Sequence, residues 1–124
     1  MLRAIPAFLV LASLAFPAVA APRSDFEGVW ARTQAECDDE EGPNTRTLID
    51  MSNKVGPLYD GYEHHCRILD VSVGGAARTL TLSCHEFWEE FTKKTSPTRE
   101  TVKLEVKGAQ SMRIDGKPFV RCLR

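Results

Sequence analysis

The stretch YEHHCRILDVSVGGAARTLTLSCHE, residues 62 to 86, holds all three histidines and two of the four cysteines of the chain. Its second half alternates cleanly. Leu80, Leu82 and Cys84 fall on one face, and Thr79, Thr81, Ser83 and His85 fall on the other, the period-2 signature of a half-buried strand. A two-residue loop at Gly75-Ala76 suits a type II′ turn, which wants glycine first. That turn pairs Val73 with Arg78, Val71 with Leu80 and Leu69 with Leu82.

Farther from the turn the first strand changes phase. Leu69, Val71 and Val73 read as inward, and so do Tyr62, Cys66 and Ile68. One extra residue near Ile68-Leu69, a β-bulge, reconciles the two sets. Beyond it the register slips by one, so Cys66 falls opposite Cys84 and His65 opposite His85. Both cysteines are then expected on the buried face, and both histidines on the wet face.

The remaining chain carries the same grammar of short alternating runs and turn residues, with no repeat and no low-complexity tract. Strands are expected in FEGVWART (26–33) and TRTLIDM (45–51). ECDDEEGPN (36–44) reads as an acidic loop and SNKVGPLYDG (52–61) as a second loop. TVKLEVKG points Val102, Leu104 and Val106 inward. A turn at Gly108-Ala109 leads to Met112 and Ile114, and DGK (115–117) is a tight turn before the closing PFVRCLR. The run 87–97 is ambiguous, since Phe87/Phe91 and Glu89/Lys93 have helical spacing while Phe87, Glu89 and Phe91 also fit one strand face. Seven or eight short strands without a long helical pattern predict an all-β fold, a small antiparallel meander barrel whose closure removes sheet edges.

Residues 1–20 read as a cleaved signal peptide: Arg3, a short apolar run, then Ala18-Val19-Ala20 as a small-x-small cleavage site. No cysteine stands near that cut to carry a lipid anchor. Residues 21–124 then form one domain of roughly 100 residues. Losing Arg3 moves the formal net charge of −1 to −2. That balance, with mixed signs, suggests neither nucleic acid nor an anionic membrane. The expected location is the periplasm or the exterior of a Gram-negative-type cell, with no membrane span.

Four cysteines in a small exported chain, with no C-x-x-C pair, read as two disulfides. The bulged register offers Cys66–Cys84 with Cys37–Cys122. The alternative, Cys37–Cys66 with Cys84–Cys122, remains open at this level. If the thiols are oxidised they cannot ligate a metal, and the remaining candidates are divided, His65, His85 and Glu63 on one face and His64 with Glu86 pointing inward, so they cannot close around an ion that needs three or four converging donors. No metal or cofactor is expected. With no G-x-S-x-G elbow, no spare thiol and no buried carboxylate pair, no catalytic residue is expected either.

Two groups remain as candidate partner contacts. Asp38, Asp39, Glu40 and Glu41 lack the spacing of a calcium loop but suit steering of a basic partner. Phe87, Trp88 and Phe91 are core residues or an exposed contact patch.

Gly28-x-Trp30 resembles the opening G-x-W of lipocalin-type barrels, which implies Trp30 on the barrel floor. The wider frame GVWA…C, GYEHHCRI, LTLSC, SMRIDGKPF and VRC resembles small exported bacterial four-cysteine β-barrel proteins to which no activity is assigned. A more distant resemblance is to periplasmic inhibitors of secreted proteases and of lysozyme. In the protease inhibitors an N-terminal arm blocks the target, and here that arm would be residues 21–25. The expectation is an exported, non-enzymatic binding module, with a hydrolase as one partner class. The alternatives are a small apolar ligand in the barrel mouth, or an envelope protein without a ligand.

Overall fold

In a computed structural model, which describes residues 25–123, eight antiparallel strands close into a single barrel. They are β1 (Gly28–Ala31), β2 (Thr47–Asp50), β3 (Leu58–Gly61), β4 (His64–Gly74), β5 (Ala77–His85), β6 (Thr98–Gly108), β7 (Ser111–Ile114) and β8 (Lys117–Arg121). Each pairs with its neighbour in sequence, and β8 returns to β1 through Trp30 opposite Arg121. Two short helices decorate the barrel, α1 (Gln34–Cys37) and α2 (Trp88–Lys93). The expected signal peptide, residues 1–20, and arm residues 21–24 lie outside the described residues. Among the described residues no helix is long and apolar enough to cross a membrane.

The meander follows from the turns. Gly75 takes φ +61 as the first residue of the β4–β5 loop, the left-handed geometry that glycine adopts without steric cost. Asp115 and Gly116 both have positive φ between Ile114 and Lys117, as a type I′ hairpin requires. The 52–61 stretch departs from its expectation as a loop. Its last four residues form β3, with Leu58 and Tyr59 buried, and a two-residue turn at Tyr62-Glu63 joins β3 to β4. Tyr62 is therefore an exposed turn residue and not an inward one.

The bulge and the slipped register are present. His65 faces His85, Cys66 faces Cys84, and Ile68 faces Leu82, with the register shift between Ile68 and Asp70. Leu69 is the extra residue, so it is exposed and does not pair with Leu82. Val73 is also exposed and Val71 is only partly covered, against the inward reading. The cause is length: β4 has 11 residues and β5 has 9, whereas β1 to β3 have four each. The tip of the long hairpin projects past the barrel, where no opposing wall exists to bury it.

The barrel interior is filled. Trp30, Leu80, Leu104 and Met112 have no exposed surface, and they cluster with Ile49, Ile68, Leu82, Val102 and Ile114, with Phe26, Tyr59 and Phe119, and with the Cys66–Cys84 pair. Alternating apolar positions from every wall meet here, the packing expected of a small barrel. Trp30 donates its indole N–H to the Phe26 carbonyl at 2.9 Å. The Arg121 guanidinium lies 4.3 Å over its ring and donates to the carbonyls of Asp25, Glu27 and Ala109. That contact explains the glycine of the G-x-W motif. Gly28 has φ +136, and a Cβ there would stand 2.4 Å from the guanidinium nitrogen.

Candidate functional site: an acidic cleft beside exposed aromatics

The acidic run is an ordered structure rather than a loose loop. Thr33 caps α1 by accepting from the Glu36 N–H, which satisfies one of the orphan donors of a helix start. Thr45 donates its hydroxyl to the Glu36 carboxylate. Asp39 folds back to accept from the N–H groups of Glu41 and Gly42, and its carbonyl accepts from the Asn44 amide at 2.7 Å. The Cys37–Cys122 disulfide and the bond from Gln34 to the Arg121 carbonyl fasten this segment to the end of β8.

Held this way, the segment forms one wall of a surface cleft of about 400 Å³. Asp39 and Glu40 line one side. Asp60 and Glu63, from β3 and its turn, line the other, with Arg46 as the only guanidinium among the described residues and Tyr62 at the rim. Four carboxylates against one fixed cation give the cleft a negative field. Asp38 and Glu41 are exposed on the same segment but do not line it.

His65 joins the cleft to the aromatic segment. It lines the cleft, hydrogen-bonds Asp60 through Nδ1, and meets the Trp88 ring edge-on at 5.4 Å. The ambiguous 87–97 run resolves as helix α2, which ends on Lys94 in the left-handed region before β6 begins. Phe91 is buried on the barrel's outer face, between the rings of His85 and His65, with Trp88 stacked on it at 4.8 Å. Arg67 seals the other side, 3.9 Å over the Phe91 ring, and donates to the Phe91 carbonyl at 2.9 Å. Of the three aromatics proposed as partner contacts, Phe87 and Trp88 are exposed. Phe91 is not available.

α2 also overturns the wet-face expectation for the histidine pair. His65 and His85 do share the outer face, but the helix covers it, so His85 is 4% exposed and neither ring nitrogen has a hydrogen-bond partner among the described residues. Periodicity along β5 gives the face and cannot show that a later segment folds over it. Glu63 sits exposed in the β3–β4 turn. His65, His85 and Glu63 do not converge on one point. Glu86 is exposed because β5 ends at His85, so it does not share the inner face with His64.

A different group converges on the inner face at the barrel mouth. His64 Nε2 lies 2.6 Å from Glu100 and 3.5 Å from Cys66 Sγ, and Cys66 is bonded to Cys84 with Cα atoms 4.0 Å apart. Sequence reading missed Glu100, because its place follows from the β5–β6 register, Leu82 opposite Glu100. Tyr59 stacks edge-on with His64. Burial, with smaller effects from Asp115 and Glu100, pushes its phenol well above the ordinary tyrosine range.

Fold and site together define a closed, filled, twice-cross-linked eight-stranded barrel that bears an acidic cleft. No protein-family model, curated protein or solved structure matches the chain.

Proposed function

We propose that this protein is an exported binding module that docks a basic protein surface, with a secreted cationic hydrolase as the partner class. The observation that carries the reading is the rigid cleft in which Asp39, Glu40, Asp60 and Glu63 surround a space large enough for a lysine or arginine side chain, with Tyr62 and Trp88 exposed nearby. A preformed acidic pocket steers a cationic partner and loses little entropy on binding. Exposed aromatics beside it supply the apolar anchors that dominate interface energies. The filled interior weighs against the alternative of an apolar ligand inside the barrel, since Trp30, Leu80, Leu104 and Met112 occupy that space.

The test is binding of the purified protein to a panel of cationic secreted hydrolases, lysozyme first, at several salt concentrations. Affinity should fall as salt rises. The variant D39N/E40Q/E63Q should bind roughly 10- to 100-fold more weakly, at about 0.5–1 kcal/mol for each cleft-rim charge. Affinity unchanged by the three neutralisations refutes the cleft as the docking site.

A further inference from the structure

The inner-face cluster at the barrel mouth has the donor set of a transition-metal site closed by a bond between two of its ligands. One donor atom from each of His64, Cys66, Cys84 and Glu100 lies within 4.8 Å of every other. An imidazole nitrogen, two sulfurs and a carboxylate oxygen are the donors zinc accepts. Tetrahedral coordination at the usual bond lengths spaces such donors roughly 3.3–3.8 Å apart. His64 Nε2 already stands 3.5 Å from Cys66 Sγ. What prevents coordination is the Cys66–Cys84 bond, because only thiolates ligate.

We propose that reduction of Cys66–Cys84 opens a site for one zinc-type divalent ion, held by His64, Cys66, Cys84 and Glu100. The reductant is a dithiol. Its thiolate attacks Cys84 Sγ, the Sγ–Sγ bond breaks, and Cys66 leaves as a thiolate beside His64. The reductant's second thiol then closes its own disulfide and releases Cys84. Two electrons pass to the protein, and the two protons of the dithiol are available to the cysteines. Binding of the ion to both thiolates sends those two protons to solvent.

Access favours this order of attack. A surface cleft of about 280 Å³ is lined by Cys84, His64 and Glu100 but not by Cys66. Glu63, Glu86 and Glu90 line it too, so its field concentrates divalent cations, while the dithiol enters in its uncharged form and ionises beside Cys84. The two cysteines sit directly opposite on adjacent strands, with Cα atoms 4.0 Å apart. Separating the sulfurs therefore requires side-chain rotation and no strand displacement. None of the four donors lines the cleft beside Tyr62, with which this one shares only Glu63 among the described residues.

The experiment titrates Co²⁺ into C37S/C122S, which retains only the Cys66–Cys84 pair, before and after reduction with dithiothreitol and anaerobic desalting. The reduced protein should bind one ion per chain with thiolate-to-cobalt charge transfer and tetrahedral visible bands. The oxidised protein should show no thiolate signal. H64A and E100Q in that background should each weaken binding at least about 10-fold, since even outer-shell partners of a metal cost that much. Absence of a stoichiometric ion in the reduced protein overturns the proposal, as does affinity unchanged by both substitutions. Should C37S/C122S fail to fold, the same titration compares reduced wild type with reduced C66S/C84S. The thiolate signature must vanish in the second and persist in the first, and equal signals overturn the proposal.

Discussion

Replacing both Cys37 and Cys122 by alanine removes the longer of the two cross-links, which spans 85 residues. In the chain-entropy description, closing a loop of that length restricts the unfolded ensemble by about 4.6 kcal/mol at 25 °C, against about 3.2 kcal/mol for the 18-residue Cys66–Cys84 loop. Neither residue of the longer link belongs to the central apolar cluster, and Cys37 is partly exposed. Lost packing therefore adds little and the entropic part dominates. With a urea m-value of roughly 1.5 kcal/mol per M, the midpoint should fall by about 3 M. The m-value should also rise, because an unfolded chain freed of that link exposes more surface. Equilibrium urea unfolding followed by tryptophan fluorescence reads both quantities. The same variant should bind cationic partners more weakly even where it remains folded, since the acidic wall of the cleft is then held to β8 by the Gln34 bond without the disulfide. A loss below about 1 kcal/mol with an unchanged m-value refutes the role given to this staple.

Gly28→Ala should cost about 1–3 kcal/mol through the strained backbone and the collision with Arg121. In an Arg121→Met background the cost should shrink, and strictly additive losses in the double mutant refute the steric argument. Phe91→Ala should destabilise by about 3 kcal/mol, the low end for a buried phenylalanine because α2 can settle toward the sheet. Thermal unfolding unchanged within about 0.5 kcal/mol contradicts the buried position. Tyr59 gives a pH dependence with a definite sign. Its folded-state value is raised, so the contribution is fully present below the unfolded pKa near 10 and is lost as pH rises above it. The wild type should lose about 1.4 kcal/mol more than Tyr59→Phe between pH 9 and pH 11. Parallel pH profiles for the two proteins contradict the burial of the phenol.

Much of the barrel was legible because its signals are local. The alternation of Leu80, Leu82 and Cys84, the phase change near Ile68, and the Gly75 and Asp115-Gly116 turns each constrain only a few neighbouring residues. Together they fix a meander, its bulge and the Cys66–Cys84 register. β3 was missed because only two of its four residues are buried apolar groups, and Asp60 and Gly61 read as loop chemistry. Burial at Val73 and His85 was misjudged for opposite reasons. Period-2 patterning assigns a face but not whether that face lies beyond the end of a barrel, as for Val73, or beneath a later helix, as for His85. The site was half legible. The acidic run and Trp88 were visible as candidates, whereas Asp60, Glu63 and Tyr62 join the cleft only because β3 exists. Glu100 reaches His64 only through strand pairing that no local motif encodes.

Both the ordered acidic wall and the closed state of the barrel-mouth donors depend on which sulfur is bonded to which. Digestion of the purified, never-reduced protein followed by mass spectrometry of the linked peptides measures that pairing directly. Fragments containing Cys37 should emerge joined to Cys122 and those containing Cys66 joined to Cys84, with no alkylatable thiol. Recovery of Cys37 joined to Cys66, or of free sulfhydryls at any of the four positions, would contradict the account.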